Sequence, residues 1–257
     1  MEPSVVHQTN DFLIIDKPAG IVVHPARTTR QKRLPVGLAG VVQSGGRGAG
    51  ATNNTVTAWL TKRFPEVRTV GDDPKLRPGI VHRLDKDTSG VMVVARNQQA
   101  FEDLKQLFKE RRVEKTYLAL VVGVPKKKSG VIDAPIGRLM THRTKRGIGP
   151  KVNGSRQATT EYRRLERLGE FSLLAVKPRT GRMHQIRVHL ASIGTPVAGD
   201  RTYGGDRIAL PGLERQFLHA WRLAFSYPEG RRWQFEAGLP PDMALILTRL
   251  RKLRKAA

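Results

Sequence analysis

The hydrophobic positions of the chain fall into short apolar runs and one clear helical repeat. Phe12–Asp16 and Thr116–Val122 are rich in β-branched and aromatic residues, and proline or glycine follows closely, which predicts strands. Val91–Ala95 is a third run of this kind. Residues 98–111 carry apolar side chains at helical spacing, which predicts a helix whose buried face contains Phe101, Leu104, Leu107 and Phe108.

Patterns elsewhere predict further paired strands and two more helices. Ala158–Leu165 and Phe171–Val176 have the composition of paired strands, and Thr55–Phe64 fits a short helix. Gly181–Gly194 fits one helix, with Thr180 as its N-cap and the final glycine just beyond its C-terminus. On that helix the shared apolar face would contain Met183, Ile186, Leu190 and Ile193.

The charge of the chain points to a polyanionic partner. Its 257 residues include 46 Lys and Arg against 22 Asp and Glu, a formal net charge of +24. We favour nucleic acid over a merely solvated basic surface. An anionic membrane fits less well, because no segment resembles a basic amphipathic anchor. No apolar stretch is long enough for a transmembrane helix, and no signal peptide is evident. The absence of cysteine excludes disulfides and thiolate chemistry and is compatible with a cytoplasmic location.

Three polar segments are candidates for contact with that partner. Residues 27–54 are rich in Gly and Arg, and we interpret them as a flexible loop able to become ordered on RNA. No Gly-Lys-Ser/Thr follows them, so a nucleotide triphosphate loop is not expected. Residues 126–156 hold nine Lys or Arg and one Asp, and we predict a basic loop at 138–156. Residues 249–257 are predicted to be the basic end of a helix.

The motif His82–Gly90 places an isolated acid among bases. Asp85 lies two residues after Arg83 and directly before Lys86, and these cations favour the ionised form of its carboxyl group. An ionised and oriented carboxylate can act as a nucleophile or as a general base. Asp87, by contrast, is interpreted as a turn or capping residue.

Arg187 lies at the edge of the apolar face of the helix predicted at 181–194. A guanidinium in that position needs a carboxylate to offset its desolvation, and Asp85 is the best candidate among few acids. The alternative, in which Arg187 extends to solvent, is equally compatible with the residues alone. His184 and His189 are five residues apart and do not share a helix face. With His82 they lack the further ligands of a zinc site, so no metal is expected.

Several separated motifs resemble those of the RluA-type pseudouridine synthases, in the order found in that family. The resemblance runs from about Phe12 to Asp242. It is carried by Asp16–Pro25, His82–Gly90, Lys115–Val121, Gly181–Gly204 and Leu218–Ala220. The segment at 27–54 is longer and richer in glycine than the resemblance leads us to expect.

The resemblance implies an α+β fold with a mixed, mostly antiparallel central sheet, flanking helices and an active-site cleft across the middle. It implies isomerisation of uridine to pseudouridine in structured RNA, with ribosomal RNA as the first expected substrate and transfer RNA as the second. No cofactor and no metal are expected. We further expect a monomer in which residues 1–257 form a single catalytic domain, without a separate N-terminal RNA-binding domain.

The resemblance also implies roles for individual residues. Asp85 occupies the position of the catalytic aspartate, Tyr117 that of the active-site tyrosine, and Arg187 that of the arginine paired with the aspartate. Arg83 matches the residue that fills the space of the flipped-out base. Leu190 matches an apolar contact under the uracil.

The reaction breaks the N1–C1′ bond and rejoins the uracil through C5, so the nucleotide must leave its stack. Tyr117 would offer a stacking face and a hydroxyl near the C5 proton. The same motifs contain three further expected substrate-binding residues, His82, Arg182 and His184.

Two other functions compete with this one. Asp85-Lys86-Asp87-Thr88 loosely resembles the nucleophile motif of haloacid-dehalogenase-type phosphatases, but those proteins need an apolar strand just before the motif and later acids for magnesium. An RNA-binding or chaperone protein without catalysis is the second alternative. It would be indicated by loss of the acid or the tyrosine, and both Asp85 and Tyr117 are present.

Overall fold

The computed structural model describes residues 1–25, 54–142, 145–228 and 230–256, with side chains described as far as Arg254. Within them the strands are β1 (Ser4–Gln8), β2 (Phe12–Lys17), β3 (Ser89–Ala95), β4 (Glu114–Val122), β5 (Ser129–Asp133), β6 (Ile136–Leu139), β7 (Arg146–Gly147), β8 (Val152–Arg156), β9 (Thr159–Leu168), β10 (Phe171–Pro178), β11 (Leu218–Ser226) and β12 (Arg232–Glu236). The helices are α1 (Val56–Arg63), α2 (Gln98–Lys109), α3 (Gln185–Ser192) and α4 (Pro241–Ala256), with a 3₁₀ turn at Pro65–Thr69.

A nine-stranded sheet forms the centre of the molecule. Its strands follow the order β1-β2-β3-β11-β4-β10-β9-β5, and β12 pairs with the far end of β11. Among the strand pairs of the described residues, β3 and β11 are parallel and the rest are antiparallel. The expected α+β fold with a mixed, mostly antiparallel sheet is therefore confirmed.

Helices cover both faces of this sheet because the inner strands are apolar on both sides. On β2, Phe12 and Ile14 pack in one core cluster with α2, whereas Leu13 and Ile15 pack in another with α1. Farther along the sheet, α4 and α3 pack in two more clusters. The helix predicted at 98–111 is confirmed as α2, with Asn97 as its N-cap. No helix among the described parts of the chain is long and apolar enough to cross a membrane.

The basic segment predicted as a loop at 138–156 is instead largely strand. Its described residues form much of a small sheet in which β6 pairs with both β7 and β8. Gly137 makes this pairing possible, since a Cβ atom there would lie 2.8 Å from the carbonyl oxygen of Asn153. Ile136 anchors the sheet in a small core cluster with Val188 of α3. The described part of the basic C-terminal segment lies in α4, which ends at Ala256, and the predicted loop at 27–54 lies outside the described residues except for its last position.

The helix predicted at 181–194 is shorter than expected. It begins at Gln185, and Thr180 is not its N-cap. The Gln185 side chain prevents an earlier start: its Oε1 accepts from the Thr180 hydroxyl (2.7 Å) and from the Arg182 N–H (2.9 Å), which holds the preceding residues in a turn. Met183 and Ile193 are consequently exposed, whereas the predicted face keeps Ile186 and Leu190 buried. Gly194 has a φ of 79°, as predicted for the residue that ends the helix.

Candidate active site

The turn that carries Asp85 leads directly into the buried strand β3. Gly90 fixes the end of this turn against β11: its φ is 121°, and a Cβ atom there would lie 2.2 Å from the carbonyl oxygen of Ala220. The apolar strand therefore follows the motif and does not precede it. The phosphatase alternative requires the opposite order, so its motif similarity is fortuitous.

Two buried or half-buried cations hold the backbone that follows Asp85. The Lys86 carbonyl accepts from the Lys17 ammonium (2.9 Å) and from the Gly20 N–H (3.0 Å). The Asp87 carbonyl accepts from the Arg215 guanidinium (3.1 Å). Because successive carbonyl groups are bound from different segments, the turn has little freedom to move the Asp85 carboxylate.

Lys17 is fully buried, and its ammonium donates to three carbonyl groups. In addition to Lys86 it binds the carbonyls of Pro18 (2.8 Å) and Ile21 (3.0 Å). Burial lowers the pKa of Lys17 to about 8, although the nearby Asp87 and Asp85 charges oppose that change. Only the ammonium form has three N–H groups, so the protonated state satisfies all three acceptors.

Arg187 joins two carboxylates from distant parts of the chain. Its Nη1 lies 3.0 Å from Oδ2 of Asp85, 102 residues away, while Nε and Nη2 bind the two oxygens of Asp200 at 2.7 and 2.9 Å. Burial alone would lower the pKa of Arg187, but the bonds with Asp200 and the charge of Asp85 raise it overall. The pair inferred from the helix edge is therefore present, and the solvent-facing alternative is wrong.

Sequence reasoning gave no role to Asp200. This carboxylate is buried, and its Oδ1 also accepts from the N–H groups of Thr202 (2.9 Å) and Tyr203 (3.3 Å). The available signal was an acid between Gly199 and Gly204, inside a motif that resembles the family, in a chain that has few acids. Its bidentate bonds orient the guanidinium that reaches Asp85.

His184 is oriented by a second residue that sequence reasoning missed, Tyr203. The Arg146 N–H donates to the Tyr203 hydroxyl (3.0 Å), and that hydroxyl lies 2.9 Å from Nδ1 of His184. When the hydroxyl donates to Nδ1, the imidazole proton sits on Nε2, which is 4.0 Å from Oδ2 of Asp85. Burial lowers the pKa of His184, so its neutral form is favoured.

A cavity of about 430 Å³ opens beside the Asp85 carboxylate. Apolar side chains, including Ile186, Pro178 and Leu218, form much of its wall. Seven of the eight predicted site residues line it: His82, Arg83, Asp85, Tyr117, Arg182, His184 and Arg187. Leu190 is the exception. It is fully buried in the core behind the wall, whereas Ile186 and Leu218 are apolar residues that line the cavity.

Tyr117 and His82 keep neutral side chains in this wall. Burial raises the pKa of Tyr117, and the Asp85 charge adds to that effect, so the hydroxyl stays protonated. Burial, with the charge of Lys115, lowers the pKa of His82 to about 3. His82 accepts from the Val93 N–H through Nε2 (3.0 Å) and stacks on Phe108, with 4.6 Å between the ring centroids.

The two predicted arginines occupy different places at the mouth of the cavity. Arg83 is exposed, and its Nη1 lies 3.3 Å from Nε2 of His24. Arg182 is half-buried, and its Nε donates to the Gln157 carbonyl (3.1 Å). The site thus combines one oriented carboxylate, an apolar slot and cations at its entrance. No group of three His, Asp or Glu side chains in the described parts of the chain is arranged to hold a metal ion.

Comparisons with known proteins agree on one family. A family model described as RNA pseudouridylate synthase matches residues 11–192. An uncharacterized RNA pseudouridine synthase of Chloroflexus aurantiacus is 43% identical over 91% of this chain. The ribosomal large subunit pseudouridine synthase D of Nitrosomonas europaea is 40% identical over 97% of it. The chain spans 65% of the length of each of these two relatives.

A solved structure supports the same relationship. The structure of human RNA Pseudouridylate Synthase Domain Containing 1 superposes with a TM-score of 0.68 and 27% sequence identity. The match covers 100% of this chain and 96% of the human chain.

Proposed function

The chain belongs to the RNA pseudouridylate synthase family, and from that premise we propose that it isomerises uridine to pseudouridine in structured RNA. Ribosomal RNA is the proposed first substrate and transfer RNA the second. The choice of ribosomal RNA is supported by the relative named for the large ribosomal subunit. The net charge of +24 supports a polyanionic substrate.

The observation that carries the proposal is the position of Asp85. Its carboxylate faces an apolar cavity, is 22% exposed, and is bound by Arg187 at 3.0 Å. A carboxylate held in this way can act on the sugar or base of a nucleotide whose uracil enters the cavity. A purely RNA-binding protein has no need for this arrangement.

The proposed reaction conserves every atom of the uridine. The N1–C1′ bond breaks, the uracil turns within the cavity, and a C5–C1′ bond forms. The proton at C5 leaves, and N1 gains a proton. Asp85 can begin this sequence by attack on the sugar, by addition to the base or by removal of a sugar proton. In each route Arg187 holds the carboxylate in a fixed orientation.

Tyr117 and Arg83 would complete the site. Tyr117 presents a ring to the uracil and a protonated hydroxyl close to the place where the C5 proton departs. Arg83 lies exposed at the entrance, where it can occupy the space that the flipped nucleotide leaves in the RNA. Arg182 and His184 would contact the same nucleotide from the opposite wall.

We also propose that residues 1–257 act as one catalytic unit, as a monomer and in the cytoplasm. The continuous nine-stranded sheet supports a single unit, because it joins the segments that carry Asp85, Tyr117 and Leu218. The lack of cysteine is compatible with a reducing compartment.

Pseudouridine mapping tests the proposal. The purified protein and its Asp85→Asn variant are incubated with in vitro transcribed bacterial large-subunit ribosomal RNA and, separately, with transfer RNA. Pseudouridine is then located by carbodiimide labelling and primer extension. We expect formation at defined sites with the wild type, none with Asp85→Asn, and similar RNA binding by both proteins. Equal modification by the variant, or none by the wild type on either RNA, contradicts the proposal.

A further inference from the structure

Lys115 is a half-buried cation in the cavity wall that has no counter-charge among the described residues. It precedes Tyr117 by two residues on β4, and both side chains line the cavity. Its Nζ lies 5.5 Å from the centre of the Phe108 ring. Among the residues that the structure describes, no carboxylate pairs with this ammonium and no acceptor receives a hydrogen bond from it.

Three other cations close to the site are bound by acceptors of the protein. Lys17 donates to three carbonyls, Arg187 binds Asp85 and Asp200, and Arg215 binds Asp242 with two hydrogen bonds of 2.8 and 3.1 Å. A charge removed from water without such partners is costly. The Phe108 ring offsets only part of that cost. Lys115 therefore differs from these cations, because no acceptor of the described residues binds its ammonium.

Further unpaired cations extend from Lys115 along the surface. A small cleft shares Lys115 and Pro178 with the main cavity and is also lined by Arg111 and Lys177. The carboxylate beside them, Glu114, already binds Arg232 at 2.8 Å.

Arg179, on the same cleft, is bound by both oxygens of Glu161 at 2.8 and 2.9 Å. Arg111 and Lys177 are exposed and have no carboxylate partner within the described parts of the chain. The cleft therefore has an excess of positive charge at the edge of the cavity.

We propose that Lys115, with Arg111 and Lys177 beside it, binds a backbone phosphate of the RNA strand next to the uridine that enters the cavity. This inference rests on the proposed function, because the phosphate belongs to the same substrate. A lysine recognises phosphate as a point charge and needs no particular approach direction. When the uracil occupies the apolar slot, the phosphates that flank its ribose must lie at the mouth, where the cleft begins.

The titration of Lys115 supplies an independent signature. Burial lowers its pKa to about 8, so the free protein loses this charge as the pH rises through 8. Lys17 also has a pKa of about 8, but it is present in both the parent and the Lys115→Arg variant, so its effect cancels when the two are compared. The groups that face Lys115 do not titrate near pH 8. His82 has a pKa of about 3, Glu114 has its pKa lowered by Arg232, and Tyr117 has its pKa raised by burial.

RNA binding is measured in an Asp85→Asn background, so that turnover does not interfere. Lys115→Met is compared with Lys115→Arg, and Lys75→Met serves as a matched control because Lys75 is an exposed lysine that lines none of these cavities. The probe is in vitro transcribed bacterial large-subunit ribosomal RNA. Kd is determined by filter binding over a salt series at pH 7 and pH 9.

We expect Lys115→Met to weaken binding roughly tenfold at pH 7. The slope of log K against log salt should fall in magnitude by about 0.7 to 0.9, the loss of one phosphate contact. A rise in pH from 7 to 9 should weaken RNA binding by the Asp85→Asn parent. The same rise should weaken binding by the Lys115→Arg variant to a smaller extent. The control should match the parent throughout.

Unchanged affinity and salt slope in Lys115→Met would overturn the proposal. If that variant does not fold, equal pH dependence in the parent and in Lys115→Arg overturns it instead. Lys115→Met is also made in a protein that retains Asp85. If this variant binds RNA normally but has a greatly reduced kcat, Lys115 acts on the reacting base, and the proposed phosphate contact is wrong. These binding results do not depend on pseudouridine formation, so failure of the proposed function is separately visible in the mapping experiment.

Discussion

Asp200 binds Arg187 through both of its carboxylate oxygens, at 2.7 and 2.9 Å, and thereby aims the remaining guanidinium nitrogen at Asp85. The acid that sets the geometry of the site is thus not the acid that faces the cavity. This arrangement divides two tasks between two carboxylates, because Asp200 orients the guanidinium and Asp85 faces the cavity.

Replacement of Asp200 by Asn should reduce activity without removing a group that touches the substrate. The variant places a neutral amide against the guanidinium, so one of the two negative charges that offset the desolvation of the buried Arg187 is lost. We therefore expect the free energy of unfolding to fall by about 3 kcal/mol. Single-turnover rates should fall at least tenfold, with RNA affinity retained. Urea unfolding and rapid-quench assays measure both effects. Asp206→Asn, an exposed acid on the same segment, is the control. Wild-type behaviour of Asp200→Asn would show that Arg187 does not depend on this partner.

Tyr117→Phe separates the ring from the hydroxyl. The ring can still stack on the uracil, but the group proposed to act at the C5 proton is gone. We expect kcat to fall by about 10² or more, since positioned proton-transfer groups contribute at that scale. RNA affinity should be unchanged. Tyr162→Phe, on β9 and outside the cavity lining, should retain full activity. A fully active Tyr117→Phe variant would restrict Tyr117 to stacking.

Arg83→Ala should affect folded RNA more than unstructured RNA. Extrusion of a stacked nucleotide costs a few kcal/mol, and an arginine that fills the vacated space offsets that cost. The variant should therefore lose activity on a structured ribosomal fragment and retain most of it on a short single-stranded oligonucleotide containing the same uridine. Comparison of kcat/KM on the two substrates provides the measurement. An equal loss on both would exclude the wedge role.

Charge removal in the basic segment 143–151 should weaken RNA binding and flatten its salt dependence. Lys145 and Lys151 lie next to β7 and β8 of the small sheet, near the mouth of the cavity, where Arg146 Nη2 lies 3.2 Å from Met183 Sδ. Replacement of both lysines by Gln should reduce the magnitude of the salt slope by about 1 to 2. Lys62→Gln with Lys75→Gln removes the same charge from exposed sites on or near α1. An identical slope in wild type and the 145/151 variant would argue against contact by this sheet.

Acid should destabilise the protein in part through His82. Its pKa is lowered to about 3, so the folded protein binds fewer protons than the unfolded chain between pH 3 and 6.5. The contribution of neutral His82 to the free energy of unfolding is fully present above pH 6.5. It is lost as the pH falls, by at most about 1.4 kcal/mol per pH unit.

His82→Gln keeps an acceptor for the Val93 N–H but cannot take up a proton in this range. Urea unfolding between pH 6.5 and 4.5 should therefore show a shallower decline in the variant than in the wild type. All other ionisable groups are the same in the two proteins, so their contributions cancel in the difference. Parallel stability curves would show that His82 is not a buried neutral group.

The local sequence pattern determined much of the framework. The helix α2 followed from Phe101, Leu104 and Leu107, and the paired strands β9 and β10 followed from their strand-like composition. These elements depend on side-chain periodicity within one segment, which the chain displays directly. The excess of basic residues and the acid at Asp85 were equally visible, and the resemblance of the motifs implied the family.

Only the tertiary structure decided which polar groups meet. It placed Asp200 in hydrogen-bond contact with Arg187 and Tyr203 with His184, and it placed three carbonyl groups within hydrogen-bond distance of Lys17. It also shortened α3, because Gln185 bonds across to Thr159 and Thr160 on β9, and it converted the basic segment after Ile136 into strands. The side-chain pairings and the shortened helix follow from the need of a buried donor, acceptor or charge to find a partner. That partner lies on another segment, so no pattern within a single segment reveals it.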